Sequence, residues 1–490
     1  MVLMTGKEYI ESLRKLKTKV YAFGKRIENV ADNPLTRPHV NAAAMTYELA
    51  HDPELEGLFT ATSHLTGEKI NRFTHIHQSP EDLINKTKML RAIGRVTGTC
   101  FQRCVGCDAL NALYSVTFEI DMKHGTNYHS RFKEFLTYVQ RNDLMLDGAM
   151  TDPKGDRSLP PINQADPDLY LRVVDEKADG IVVRGAKAHQ TGAVNSHEVV
   201  AMPTAVMDEE NKDYAISFSV PVDTEGILFI FGRQSNDGRK LEEGWIDRGN
   251  ANYGVVGGEA LLVFEDVFVP LERVFMFKEY EFSSLLVERF ASHHRQNYGA
   301  CKAGVSDAIV GATTLMAEYN NVSKASHIRD KITEMVHLTE TLYSGSIACS
   351  AEGCGTPSGA YIVNSLLANT VKHNATRFIY EICRLSQDIA GGLIATLPSE
   401  QDLKDPEVGK YVEKYFRGVA DVPTEHRIRM VRLIENMTGG TALIESMHGA
   451  GSPQTQRIMI LRQADLEEKK KTAKVLAGIE EDRYLKRIRG

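Results

Sequence analysis

Long hydrophobic runs are missing from this chain. No stretch approaches the roughly 18 consecutive apolar residues that cross a bilayer. Met1–Lys19 carries Glu8 and Glu11 among its basic residues, in place of the apolar core of a secretion signal. The expected location is the cytoplasm, with no membrane partner. Cysteine is scarce and odd in number, seven in 490 residues, which excludes a disulfide framework. An excess of positive charge is absent as well. Lys plus Arg is 58 and Asp plus Glu is 65, a net charge of −7, so nothing in the balance calls for a nucleic-acid partner. Internal repeats and low-complexity segments are lacking. What remains is an ordinary folded composition, 42% hydrophobic and 25% charged, long enough for about two to four domains.

The pattern along the chain changes twice. Thr5–Val30 has apolar residues at helical spacing (Tyr9, Ile10, Leu13, Leu16, Val20), and Ser79–Leu136 reads as largely helical. Short β-like runs follow a turn-rich stretch at 151–157: Tyr170–Val174, Gly180–Arg184, Glu198–Ala201, Tyr214–Val220, Ile227–Phe231 and Ala260–Phe264. From about Tyr280 helical spacing returns and persists. The expectation is an α+β protein with an N-terminal helical domain (1–146), a small central β-barrel or sandwich (147–279) and a C-terminal helical domain (280–490). Alternating βαβ units are not seen, which argues against a Rossmann fold or a TIM barrel.

The cysteines are unevenly placed. Cys349, Cys354 and Cys383 read as reduced, buried thiols. Cys100, Cys104 and Cys107 stand at i, i+4 and i+7 in a stretch that reads as helical, so they would share a face. His294 and Cys301 are also i and i+7 on a later helix, with Tyr298 between them. Three readings are open on the residues alone. The side chains are simply core; or they hold zinc or an iron–sulfur cluster; or Cys100-x₃-Cys104-x₂-Cys107 is the motif of radical S-adenosylmethionine enzymes, without the barrel that normally carries it. Zinc needs its donors about 4 Å apart or less, whereas an i, i+7 pair rises about 10.5 Å along a helix. A wide cluster tolerates that separation better.

Four segments carry a resemblance: Cys100-Phe-Gln-Arg-Cys104, Val182–Gly192, His294-Arg-Gln-Asn-Tyr298-Gly-Ala-Cys301-Lys302 and Glu445–Pro453. Together they resemble the 4-hydroxybutyryl-CoA dehydratases. These belong with the flavin-dependent 4-hydroxyphenylacetate 3-monooxygenases and are similar in fold to acyl-CoA dehydrogenases. The resemblance implies radical dehydration of 4-hydroxybutyryl-CoA to crotonyl-CoA, isomerisation of vinylacetyl-CoA, an acyl-CoA substrate, FAD, a [4Fe-4S] cluster and a homotetramer. It implies cluster ligation by Cys100, Cys104, His294 and Cys301, and leaves Cys107 to packing. His294 would double as a base, beside Tyr298. Glu259 and Glu445 match active-site carboxylates, and Lys302 either tunes charge near the cluster or only extends to solvent. Flavin contacts are implied at Gly155, Asp156, Arg157 and Ser158, at Gln190 and Thr191, at Gly391 and Gly392, and at Gly449, Ala450 and Gly451. Two alternatives stand beside this reading. One is a phenol monooxygenase on the same scaffold, whose family members lack the cysteine and histidine set. The other is a non-catalytic redox protein holding a cluster or zinc.

Overall fold

The computed structural model describes residues 3–489; the outermost ends of the first and third expected domains, 1–2 and 490, lie outside the described residues. Helix α1 (Gly6–Lys15) opens on a capping box, in which the Thr5 hydroxyl accepts from Glu8 N–H and the Glu8 carboxylate accepts from Thr5 N–H. The helical reading of Thr5–Val30 then fails. The chain runs extended from Leu16 and forms a hairpin, β1 (Val20–Ala22) and β2 (Lys25–Ile27). Phe23 and Gly24 turn it, both in the left-handed region at φ 51° and 72°. Val20 and Ile27 are buried, and β1 pairs in parallel with a strand of the central sheet.

Helices α2 (Arg37–Glu48), α3 (Pro80–Thr97), α4 (Cys104–His124) and α5 (Tyr128–Arg141) complete the N-terminal part. Ser79 caps α3 and Pro80 follows it, the expected start; Gly98 ends it in the left-handed conformation. That cap carries a consequence for the cysteines. Residues 98–103 are non-helical up to the start of α4 at Cys104, and Gln102 has φ 67°. Cys100 therefore sits on a connecting segment and does not share a helix face with Cys104.

Ten strands in all form the sheets that concern the site. They continue as β3 (Leu146–Ala149), β4 (Arg172–Lys177), β5 (Gly180–Thr191), β6 (Glu198–Ala201), β7 (Ile216–Pro221), β8 (Ile227–Phe231), β9 (Glu259–Pro270) and β10 (Val274–Phe277). A six-stranded sheet runs β2-β1-β8-β9-β5-β4 and a four-stranded one β10-β7-β6-β3. The β-like runs of the sequence all overlap these strands, and two have the bounds of β6 and β8, but β5 and β9 run well beyond the runs read, and β3 and β10 were not read. Alternation does the work: on β9 the buried Ala260, Leu262 and Phe264 point one way. Phe218 and Phe264 meet edge-on between the sheets, with ring centroids 5.9 Å apart.

The C-terminal part is built on α6 (Ser283–Tyr319), 37 residues long, which packs against α7 (Ser326–Ala351), α8 (Ser365–Ala390) and α3. Glycines set how close these helices come. A Cβ on Gly94 of α3 would lie 2.8 Å from the Cys301 carbonyl oxygen and 3.1 Å from the Gly304 Cα. One on Gly299 would lie 2.5 Å from Val371 of α8 and 2.7 Å from the Leu342 carbonyl of α7. The backbone on both sides of Cys301 is thus gripped by neighbouring helices. Beyond α6–α8 come α9 (Thr424–Thr438) and α10 (Thr441–His448), which delivers Glu445. Cys349 and Cys383 are buried as expected, but Cys354 is exposed, in a two-residue hairpin strand at the end of α7. Among the described residues no helix is long and apolar enough to cross a membrane.

Candidate active site

Three parts of the chain meet at one interior site. The 98–103 segment brings Cys100, α6 brings Tyr298, Cys301 and Lys302, and α10 brings Glu445. A narrow cavity is lined by Cys100, Val256, Lys302 and Ser446. Glu445 is its electrostatic centre. Tyr298 Oη donates to Glu445 Oε1 at 2.6 Å, and the Lys302 ammonium pairs with Oε2. Burial works to raise this carboxyl, but Lys302, the Tyr298 hydroxyl and Lys372 outweigh it and hold the group below its ordinary value. The same contacts answer what Lys302 does: it is a buried partner of Glu445, only 7% exposed, and does not reach to solvent.

Glu259 opens β9 and is the opposite case. Burial pushes its carboxyl up to about 8, against the Thr191 hydroxyl, which donates to Oε2 at 2.6 Å. Oε1 is buried with no protein partner. Two carboxyls in one region are thus driven apart, one ionised and one protonated near neutrality, the arrangement from which acid and base roles are made.

All three thiols are raised. Burial comes first in each case; for Cys100 the carboxyls of Glu445 and Glu259 follow, with Cys301 a smaller addition, and for Cys104 the neighbours Cys100, Asp108 and Cys301 add to it. Cys301 itself is pushed up to about 12, mainly by burial. Thiols so shifted stay protonated unless a cation takes the proton's place. Among the described residues no three Cys, His, Asp or Glu side chains stand close enough to hold a single ion, so the set as it stands does not form the tetrahedral site that zinc requires. Soft sulfur donors from one connecting segment (Cys100) and two helices (Cys104 of α4, Cys301 of α6) are of the kind that suit an iron–sulfur cluster. His294 stands on α6 between Phe290 and Tyr298, each with ring centroid 5.7 Å from the imidazole. Its Nδ1 is bonded to Asp108 Oδ2 at 2.9 Å, and no hydrogen bond among the described residues occupies Nε2. Cys107 is buried in the apolar packing of α4 beside Asn111.

The implied flavin contacts divide. Gly155–Ser158 form an exposed turn in which Asp156 Oδ1 accepts from Ser158 N–H at 2.9 Å and Gln164 Oε1 accepts from Asp156 N–H at 2.9 Å. Gln190 is buried and donates to the Ala188 and Thr151 carbonyls. His189 has φ 58°, and burial, then the charges of Lys154 and His448, lower its imidazole. Just past the end of α10, Gly449 lies against the Tyr298 hydroxyl, Ala450 and Gly451 have φ 58° and 95°, and Arg295 Nε donates to the Ala450 carbonyl at 3.1 Å. A side chain at 449 would meet that hydroxyl. Gly391 and Gly392 lie instead at the exposed end of α8, where a Cβ would touch nothing within 4 Å.

Residues missed in the sequence reading are Asp108, Lys372 and Arg295. Lys372 of α8 lies 4.2 Å from the Tyr298 ring centroid and donates to the Ser446 and Met447 carbonyls at 2.6 and 3.2 Å, fastening the end of α10. Burial lowers its ammonium to about 7. A charged residue inside the apolar run of α4 was the available signal for Asp108; Lys372 gave none.

A helix–sheet–helix fold with its acid–base groups sealed between the layers defines an enzyme with a buried site. Comparison with known proteins says which. The 4-hydroxyphenylacetate 3-hydroxylase N-terminal family matches residues 5–276 and the C-terminal family of the same enzymes matches 283–478, so the chain belongs to the 4-hydroxyphenylacetate 3-hydroxylase family. It is 56% identical, over 98% of its length and 100% of the relative's, to the 4-hydroxybutyryl-CoA dehydratase/vinylacetyl-CoA-Δ-isomerase of Clostridium aminobutyricum. A solved oxygen-tolerant archaeal 4-hydroxybutyryl-CoA dehydratase from N. maritimus superposes with a TM-score of 0.95 at 54% identity, covering 98% of this chain and 96% of that one. Similarity to the 4-hydroxyphenylacetate 3-monooxygenase oxygenase component of Thermus thermophilus is lower, 26% over 89% of this chain and 88% of the relative. The fold is also that of an HpaB oxygenase component complexed with FAD, with a TM-score of 0.85 at 23% identity over 96% of this chain and 98% of that one.

Proposed function

We propose that this enzyme dehydrates 4-hydroxybutyryl-CoA to crotonyl-CoA and isomerises vinylacetyl-CoA to the same product, with FAD and a [4Fe-4S] cluster held by Cys100, Cys104, Cys301 and His294. The observation that carries the reading is the meeting of three thiols with the Tyr298–Glu445–Lys302 set, in a chain more than half identical to a dehydratase of this kind. FAD is supported by the family's flavin-bound fold and by the turns at 155–158 and 449–451. The homotetramer and the cytoplasmic location belong to the proposal in the same way.

The chemical difficulty is one proton. The thioester acidifies C2–H of 4-hydroxybutyryl-CoA, but the hydroxyl leaves from C4, so a C3–H must also be lost, and the carbonyl does not activate C3. When bound, the flavin supplies reversible one-electron oxidation and the cluster a Lewis-acidic iron, and these make that hydrogen removable. The chain does the rest. The imidazole of His294, held at Nδ1, has Nε2 to offer as ligand or base. Glu259, neutral near pH 7 with Oε1 unbonded, donates towards the leaving hydroxyl. Isomerisation needs only a proton taken from C2 and returned at C4. Glu445, kept ionised by Lys302 and hydrogen-bonded to Tyr298, is the group to carry it. Burial keeps water from the carbon positions being protonated.

The test is an anaerobic assay with both thioesters alongside iron and flavin analysis. Crotonyl-CoA from each, in a protein holding iron and FAD, is expected. A yellow, iron-free protein that hydroxylates phenols would favour the monooxygenase alternative.

A further inference from the structure

Asp108 is a carboxylate where a carboxylate is expensive. It lies one helical turn beyond Cys104 on α4 and is fully buried among apolar residues. Three donors from two other helices converge on it. Lys86 Nζ of α3 reaches Oδ1 at 2.7 Å, while His294 Nδ1 and Asn297 Nδ2 of α6 reach Oδ2 at 2.9 and 2.6 Å. Lys86 is itself only 1% exposed. A buried pair of this kind adds little stability over apolar residues of the same shape, so the reason for it lies in what it positions.

An acceptor at Nδ1 decides the state of the imidazole. A carboxylate oxygen can only accept, so it selects the tautomer of the neutral ring with the proton on Nδ1 and the lone pair on Nε2. Phe290, stacked at 20°, and Tyr298, edge-on at 84°, limit rotation of the ring. Asn297 shares Oδ2 and fixes the carboxylate relative to α6, and Lys86 ties it to α3. The helix that contributes the Cys104 thiol thus also carries the group that aims His294.

We propose that Asp108 is a positioning residue that holds His294 in the Nδ1–H tautomer with Nε2 directed to the cluster, and that Lys86 and Asn297 hold Asp108 in place. The inference rests on the cluster reading above and adds a residue to it. Carboxylate–histidine–metal arrays behave in this way, and their loss weakens metal retention by about 10–100-fold.

The experiment compares full-length protein, purified anaerobically with its own iron and flavin, with the Asp108→Asn variant and with Asp108→Asn combined with Lys86→Met. The double variant removes both buried charges and guards against simple misfolding. The readouts are the Mössbauer spectrum and the rate at which one iron is lost to ferricyanide. Both variants are expected to change the subspectrum of the nitrogen-bound iron and to lose that iron about 10–100-fold faster, whereas Asn297→Ala shifts them less. Lower yield and melting temperature with an unchanged spectrum and an unchanged rate would mean a merely structural role and overturn the inference alone. Absence of iron from the unmutated protein would overturn the cluster reading and this inference with it.

Discussion

The phenol of Tyr298 and the carboxylate of Glu445 share a 2.6 Å hydrogen bond across two helices, α6 and α10, and Lys302 closes the other side of the same carboxylate. One charged acceptor therefore has both oxygens engaged by donors that hold it ionised. Glu445→Gln keeps the shape and removes the basicity. Turnover of vinylacetyl-CoA is expected to fall about 10²–10⁴-fold with iron and FAD content unchanged. Loss of both cofactors in that variant would show a structural role.

Glu259 and Asp147 predict the pH dependence of stability. Burial raises both carboxyls to about 8, and both Asp147 oxygens are buried without a protein partner. Each group's folded value lies above its unfolded value, so each contributes stability that is full below the unfolded value and is lost as pH rises through the folded one. Between about pH 5 and 8 each gives a slope of about −1.4 kcal/mol per pH unit. Asp147→Asn and Glu259→Gln should each flatten the decline of melting temperature over that range. A decline as steep as in the unmutated protein would contradict the assignment.

Gly94 predicts a mechanical link between helix packing and the thiol site. Gly94→Ala places a methyl group against the Cys301 carbonyl and Gly304 Cα, displacing backbone on one helix at a cost of about 1–3 kcal/mol. Lower melting temperature and lower iron content are expected together. Gly311→Ala on the same helix α6 meets nothing within 4 Å and is expected to stabilise by about 0.5–1 kcal/mol.

Cys301 and Cys107 separate ligand from packing. Cys301→Ala is expected to lose cluster and dehydration together. Cys107→Ala, in the apolar side of α4, is expected to keep both. Full dehydratase turnover in Cys301→Ala would refute the ligand role.

Much of this was legible in the sequence, and the failures have physical causes. The strands at 198–201 and 227–231 and the long helix carrying His294, Tyr298 and Cys301 followed from periodicity. Thr5–Val30 did not, because Val20 and Ile27 fit a hairpin alternation as well as a helical stripe, and the left-handed turn at Phe23-Gly24 decided between them. Cys100 and Cys104 were read on one face because helical residues flank them; Gly98, a helix-ending residue, was the signal against it. Glu445 and Glu259 were found only through likeness to known enzymes, since an isolated Glu is normally a surface charge. Lys372 is set by contacts between residues far apart in the chain, which no local pattern encodes; Asp108 showed only as a charge inside the apolar run of α4, and its partners lie far off in the chain.

Crystals grown without oxygen and measured at the iron absorption edge test the central claim most directly. One anomalous peak bonded to Cys100, Cys104, Cys301 and His294 is the result expected. Iron bound elsewhere, or those three thiols found free in active enzyme, would contradict it.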